Sequence, residues 1–351
     1  MSYSDVVDAI GHTPLVRLRI GNSSAAVYAK LEMQNLFGMK DRVARQIILD
    51  ARRSGLLTEG APIIESSSGT MALGVALVGG ALGHEVHIVT DPRIDPITLA
   101  KLRTLGATVH IVEQRGEGGW QGARLDLLET LMKRLPGAFW PQQYSNPQNP
   151  AAYRTLADEL LNDLGPIDVL VGSVGSGGSL CGTARALRPV MPGLRVVAVD
   201  CVGSMLFGQP DVPARLQSGL GNSLMPANLD HALIDEIHWL NDREAFDAAR
   251  CLAREQQLFG GNTSGSVYRV LRHLAETAAS GTRIVGILPD RGDRYHDTVY
   301  GEDCWQAQGL DQLPLRDRPQ RVEPGAVVDA WSHCALPAVA ASGVAAEREV
   351  R

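Results

Sequence analysis

Short β-branched runs alternate with helical stretches along most of this chain, and that alternation admits few folds. PIIES at 62–66 is followed by the apolar helical pattern TMALGVALVGGALG, then EVHIVT, a helix from Asp95 to Gly106, and ATVHIV. A strand that must be followed by a helix before the next strand builds a parallel sheet covered by helices. DPITLAKLRTLG opens with Asp95 as N-cap and Pro96 at the first helical position, and closes on a glycine. NPAAYRTLADELLNDLG repeats that grammar with Asn149, Pro150 and Gly165. A second series follows: IDVLVGSVG, a helix through GTARALRPV, RVVAVD, EIHWL, a helix over EAFDAARCLAREQQL, and RIVGILPD. The expected architecture is α/β, with two doubly wound three-layer domains on parallel sheets. Residues 1–145 and 146–317 form the two domains, and the Ala-rich segment 318–351 is a poorly ordered tail.

Composition narrows the function classes. A formal net charge of −6 without any basic block disfavours a polyanionic partner such as nucleic acid. No apolar run is long enough to span a bilayer, and the start lacks a basic, then apolar, leader. The five cysteines show no CxxC spacing, and the nine histidines are scattered, so neither a disulfide framework nor a metal site is expected. A cytoplasmic protein with reduced thiols is the simplest reading.

The span GSVGSGGSLCG, 172–182, places five glycines between a buried strand and a helix. Such a turn brings backbone N–H groups to an anion at the positive end of a helix dipole, and Ser173, Ser176 and Ser179 add hydroxyls. A nucleotide-hydrolase loop is excluded, because no lysine occurs from Val171 to Asp200. A dinucleotide turn is one glycine short: Gly175 and Gly177 begin the pattern, Leu180 holds its third glycine position, and Asp200 imitates the ribose-binding acid. A nicotinamide-dependent oxidoreductase therefore stays open. So does a phosphate-bearing aldehyde cofactor held on a lysine. Lys40, where an Asn-Gly stretch gives way to a helix with Val43, Ile47, Ile48 and Ala51 on one face, sits where the helix dipole favours the neutral amine that attacks an aldehyde.

Several separated segments resemble one family, the fold type II pyridoxal phosphate enzymes of the cysteine synthase and cystathionine β-synthase type. IGHTPLVRL, GMKDR, ESSSGTMALGVAL, GSGGSLCG, LQSGLGNSLMP and ILPDRGDRY occur in the family's order between about residues 5 and 305. The resemblance implies pyridoxal 5′-phosphate as cofactor, with Lys40 as its Schiff-base lysine. Gly175, Ser176, Gly177, Gly178 and Ser179 would cup its phosphate, and Gly221 would lie beside its ring. Ser67 and Ser68, with Gln143, would hold the substrate carboxylate. Thr70 stands where the family has asparagine, so a hydroxyl donates from a shorter arm. Either Asp290 or Arg291 faces the pyridine nitrogen, a one-residue choice that the sequence leaves open; an acid there strengthens the electron sink and an arginine weakens it.

The resemblance further implies β-replacement on an activated L-serine through an aminoacrylate, in a homodimer acting on small amino-acid substrates. The pairing of ESSSG with PDRGDRY most resembles the siderophore-type branch, in which O-phosphoserine and glutamate give N-(1-amino-1-carboxyethyl)glutamate, a precursor of 2,3-diaminopropionate. Arg215 is the candidate for the additional anion, with Arg294 and Arg185 behind it. A cysteine synthase using sulfide or another thiol is the alternative within the same chemistry. A catalytically altered relative that keeps the fold as a binding partner is a further one.

Overall fold

A computed structural model describes residues 2–21, 23–116 and 119–336. The strands are β1 (Leu15–Arg17), β2 (Ala26–Lys30), β3 (Ile63–Ser66), β4 (Val86–Thr90), β5 (Thr108–Ile111), β6 (Val169–Ser173), β7 (Arg195–Cys201), β8 (Glu236–Leu240), β9 (Arg283–Ile287), β10 (Gln320–Arg321) and β11 (Ser332–Ala335). The helices are α1 (Lys40–Arg53), α2 (Thr70–Ala81), α3 (Pro96–Thr104), α4 (Gly119–Arg134), α5 (Gln148–Ala151), α6 (Arg154–Leu164), α7 (Gly178–Leu187), α8 (Asp242–Gln256), α9 (Asn262–Thr277) and α10 (Glu302–Ala307).

Two sheets result, an eight-stranded one in the order β1-β2-β9-β6-β7-β8-β11-β10 and a three-stranded one in the order β3-β4-β5. From β2 to β8 the large sheet is parallel, with Tyr28 opposite Val285 and Ala198 opposite Ile237. Its inner strands are covered by helices on both faces, which is why β6 and β8 are buried at every position. All carboxyl ends of these parallel strands lie along one rim, where α/β sheets hold their ligands. The small sheet is also parallel, and its β3 delivers Ser66 to the start of α2.

The expected helix at Lys40 forms, and Val43, Ile47, Ile48 and Ala51 are its buried face. Asp95 caps α3 by accepting the Thr98 amide at 2.8 Å, with Pro96 in the first turn. Asn149 behaves differently from expectation: it lies inside the short α5, the helix proper starts at Arg154, and Gly165 ends it at φ 74°. Its amide is drawn instead to the carbonyl of Gln143, at 2.6 Å.

The sheets do not divide the chain at residue 145. β1 and β2 belong to the large sheet, because the apolar run AVYAK pairs with β1 on one side and with β9, far along the chain, on the other. Nor is 318–336 a loose tail. β11 pairs antiparallel with β8 and carries Trp331, 2 % exposed, into the core beside it. β11 covers β8 and is itself flanked by the two-residue edge strand β10. Residues 337–351 of the expected tail lie outside the described part. Among the described residues no helix is long and apolar enough to cross a membrane.

Candidate active site

The chain leaves β2 in a tight turn that ends at Lys40. Asp41 closes the turn: its Oδ2 accepts the amides of Phe37 at 2.7 Å and Gly38 at 3.3 Å. Gly38 has φ 144°, a value closed to other residues, and the methyl of Thr70 packs against it. The Met39 amide donates to the carbonyl of Pro289 at 3.3 Å, tying the turn to the end of β9. The Lys40 side chain makes no hydrogen bond or ion pair with any described residue. Burial without an anionic partner brings its amine down to about 8 from the ordinary 10.5.

Across the rim, β6 runs into the glycine loop and α7. Gly177 holds a left-handed conformation at φ 79°, which turns the chain so that the first amides of α7 point outward unpaired. Gly178 is obligatory for another reason: a Cβ there would lie 2.0 Å from Asn149 Oδ1. Asn149 Nδ2 in turn donates to Ser176 Oγ at 3.1 Å. Ser173, Ser176 and Ser179 are all buried around this turn. Gly175 presses on the carbonyl of Gly219, and the Gly221 amide donates to Val174 O at 2.8 Å, so the 219–222 loop is clamped to the same turn.

β9 supplies the third wall, and the choice between Asp290 and Arg291 is visible in their contacts. Asp290 turns inward, 6 % exposed, with Oδ1 accepting from Ser264 Oγ at 2.7 Å and Ser264 N at 2.9 Å. Its Oδ2 is buried against Gly261 with no hydrogen bond in good geometry, although the Tyr295 hydroxyl lies near enough to the carboxyl to lower its pKa. The nearby Tyr295 hydroxyl donates to Ser218 O at 3.4 Å. Burial holds the Asp290 carboxyl above the usual carboxylate range. Arg291 turns away: its Nε donates to Met33 O at 2.8 Å and its Nη2 to Asn35 O at 3.4 Å, which fixes the loop ahead of Lys40.

The loop from Ser66 to Thr70 closes the site from the small sheet. Ser67 Oγ accepts the Gly69 amide at 3.2 Å, and Ser68 Oγ accepts from Thr90 Oγ1 at 2.9 Å. Two groups that the sequence reading passed over meet here. Arg124, from α4, donates to Ser68 Oγ at 2.8 Å. Glu65 is buried, accepts from Ser66 N at 2.8 Å and Trp140 Nε1 at 3.3 Å, and also takes the Gln143 amide; burial pushes it up to about 7. Tyr144 stands close enough to both Arg124 and Glu65 to feel their charges. Nothing in the local sequence marks Arg124, and the tertiary approach of α4 to β3 brings it to the loop.

Arg215, expected as the anion anchor, is spent on its own loop. It donates to Gly203 O, Asp211 Oδ1 and Val212 O at 2.9, 2.9 and 3.0 Å, and to Ser223 Oγ at 3.1 Å, with no contact to Lys40 or the Ser67–Thr70 loop. Arg185 lies elsewhere, paired with Asp230 on the far side of α7. Asp200, the would-be ribose acid, is wholly buried, bonds to the Cys201 amide at 2.8 Å and lies beneath Gly221, whose backbone covers it. Its burial removes the support for a nicotinamide site.

These residues fit pyridoxal phosphate. An unpartnered amine suits its aldehyde, unpaired amides at the head of α7 suit its phosphate, and the orphaned Asp290 Oδ2 calls for an N–H that a protonated ring nitrogen supplies. Residues 6–290 match the family described as pyridoxal-phosphate dependent enzymes. The N-(2-amino-2-carboxyethyl)-L-glutamate synthase of Cupriavidus metallidurans is 39 % identical over 317 residues, covering 88 % of this chain and 92 % of that one. Among solved structures, O-ureido-L-serine synthase is 31 % identical with a TM-score of 0.80, over 88 % of this chain and 100 % of that one. The O-acetylserine dependent cystathionine β-synthase of Helicobacter pylori is 32 % identical with a TM-score of 0.77, over 84 % of this chain and 97 % of that one. The two-sheet α/β fold, the match over most of the chain and these relatives together place the chain in the family of pyridoxal-phosphate dependent enzymes, among the cysteine synthase-like members of fold type II.

Proposed function

We propose that this enzyme replaces the β-substituent of O-phospho-L-serine by the amino group of L-glutamate, giving N-(2-amino-2-carboxyethyl)-L-glutamate and phosphate. The observation that carries the reading is the guanidinium of Arg124, which donates to Ser68 Oγ at 2.8 Å and faces the buried Asp91 Oδ2 at 3.5 Å, so that a cation with one carboxylate partner stands beside a loop suited to an amino-acid carboxylate. The Cupriavidus relative bears the name of this reaction. That name puts amine and carboxyl on carbon 2 of the ethyl group, where attack at the β-carbon leaves them, instead of on carbon 1 as the expected product was worded.

Lys40 would hold the cofactor aldehyde, Ser176, Ser179 and the α7 amides its phosphate, and Asp290 its ring nitrogen. Bound there, pyridoxal phosphate supplies the electron sink that makes the α-carbon of the amino acid acidic. Lys40 Nζ, at about 8, is poised to take the α-proton and to return it. Ser67, Gly69 and Thr70 orient the α-carboxylate at the start of α2. Gln143, one residue before Tyr144 at the site's edge, assists them. The C–O bond to phosphate breaks, a C–N bond to the glutamate amine forms, and that amine gives up one proton. The active unit is a homodimer in the cytoplasm, and light scattering tests the dimer.

Holoenzyme given O-phospho-L-serine with L-glutamate, sulfide or homocysteine, and mass detection of products, tests the assignment. Release of phosphate with the glutamate adduct as the dominant product supports it. Cysteine or cystathionine as the faster product, or a preference for O-acetyl-L-serine, would replace it with the thiol reaction.

A further inference from the structure

Two buried guanidinium groups are held by several strong partners each. Arg42 bonds to Glu32, Glu159 and Thr155, and Arg215 is saturated by its own loop. Arg294 is different. It lies in the short turn Asp293–Tyr295 after β9 with a side chain only 16 % exposed, and its one side-chain hydrogen bond among the described residues is from Nη2 to Ser218 Oγ at 3.4 Å. Its Nε faces Asp95 Oδ2 at 3.3 Å, yet neither atom has a partner in hydrogen-bonding geometry. A guanidinium has five N–H donors, and leaving them unmade in a buried place is costly.

The place itself is informative. Arg294 Nη1 lies 3.0 Å from where a Cβ on Gly69 would be, so the guanidinium rests on the bare face of the loop that Ser67 and Thr70 complete. Arg294 belongs to the large-sheet side of the cleft, whereas Gly69 and Asp95 belong to the small-sheet side. Below it, the Tyr295 ring, 5.1 Å from the guanidinium carbon, holds the group at the rim of the site.

We infer that Arg294 is the specificity residue for the second anionic group of the reacting amino acids, the oxyanion that is not the α-carboxylate, and that Asp95 is the internal carboxylate which this anion displaces. The inference rests on the β-replacement reading above. Two reactants carry such an oxyanion: the phosphate of activated serine and the side-chain carboxylate of the nucleophile. A planar fork takes either one bidentately. While neither is bound, Asp95 balances the charge in poor geometry and keeps the two sides of the cleft loosely joined. Binding replaces that weak pair by a better one.

The test compares matched anionic and neutral reactants, O-phospho-L-serine against O-acetyl-L-serine and L-glutamate against L-glutamine, in holoenzyme. Arg294→Gln should raise KM for one anionic member roughly ten- to hundredfold with kcat changed much less, and leave its neutral counterpart near wild type. The pair that responds names the source of the oxyanion. Asp95→Asn, which keeps the α3 cap, should lower KM for that same anionic member. Equal losses for anionic and neutral members, or no response to Asp95→Asn, would overturn the role. Calorimetric binding of inorganic phosphate and of glutarate reads the subsite without turnover. Wild-type binding that Arg294→Gln removes, without any product from wild type, would sink the reaction and keep the subsite; undiminished binding in the variant would sink the subsite.

Discussion

The amide of Met39 and the carbonyl of Pro289 are joined by a 3.3 Å hydrogen bond, so Lys40 and Asp290 each stand one residue away from the same link. The turn that presents the amine and the strand end that presents the carboxylate are thereby set against each other by backbone, which no side-chain repacking can loosen.

Asp290→Asn should lower kcat by about a hundredfold, because an amide cannot neutralise a protonated ring nitrogen, while cofactor retention changes far less. Steady-state kinetics and equilibrium dialysis of the cofactor separate the two. A variant with wild-type kcat would show that the orphaned Oδ2 has another purpose.

Gly178→Ala drives a methyl into Asn149, which otherwise supports Ser176 and the Gln143 carbonyl. The expected cost is roughly 1–3 kcal/mol of stability together with a marked loss of cofactor affinity. Denaturant melts of the apoprotein, alongside cofactor titration, check both parts.

Glu65 is raised to about 7 by burial, against an ordinary 4.5. A carboxyl whose folded value lies above its unfolded one favours the folded state fully below 4.5, and that contribution is lost as pH rises through 7. Glu65→Gln imitates the protonated form. It should match wild type in melting temperature near pH 4.5, exceed it by a margin that grows up to about pH 7, and keep that margin at higher pH. A constant offset across that window would contradict the assignment.

Trp331 donates from Nε1 to His238 Nδ1 at 3.2 Å, while His238 Nε2 faces Glu236 Oε1 at 2.7 Å. Glu236, His238 and His333 are grouped closely enough to hold a metal, but both ring nitrogens of His238 are already engaged, so the cluster is a polar strut between β8 and β11. Trp331→Ala should cost about 3–5 kcal/mol in urea unfolding, as for any large buried aromatic. Wild-type stability would mean that this strand does not belong to the folded core.

What the sequence disclosed and what it hid divide along a physical line. The Lys40 helix, the Asp95 cap and the glycine loop are local patterns in which neighbours along the chain decide the outcome. Arg124 and Glu65 are brought to the candidate site by the approach of α4 and the 139–144 segment to β3, which no periodicity encodes. Arg215 illustrates the converse: its charge suggested a ligand, although Asp211, four residues earlier, already satisfies it. The direction of Asp290 against Arg291 depended on the register of β9 beside β2. The pairing of β11 with β8 escaped notice because a four-residue strand of mixed polarity looks like a loop.

Borohydride reduction of the pyridoxal phosphate-loaded protein, followed by peptide mass mapping, tests the central claim most directly. The account predicts a single tag on Lys40, formed faster in the apoprotein on reconstitution as pH rises toward about 8 and levelling above it, since the neutral amine is the reactive form. A tag on any other lysine, or none, would contradict it.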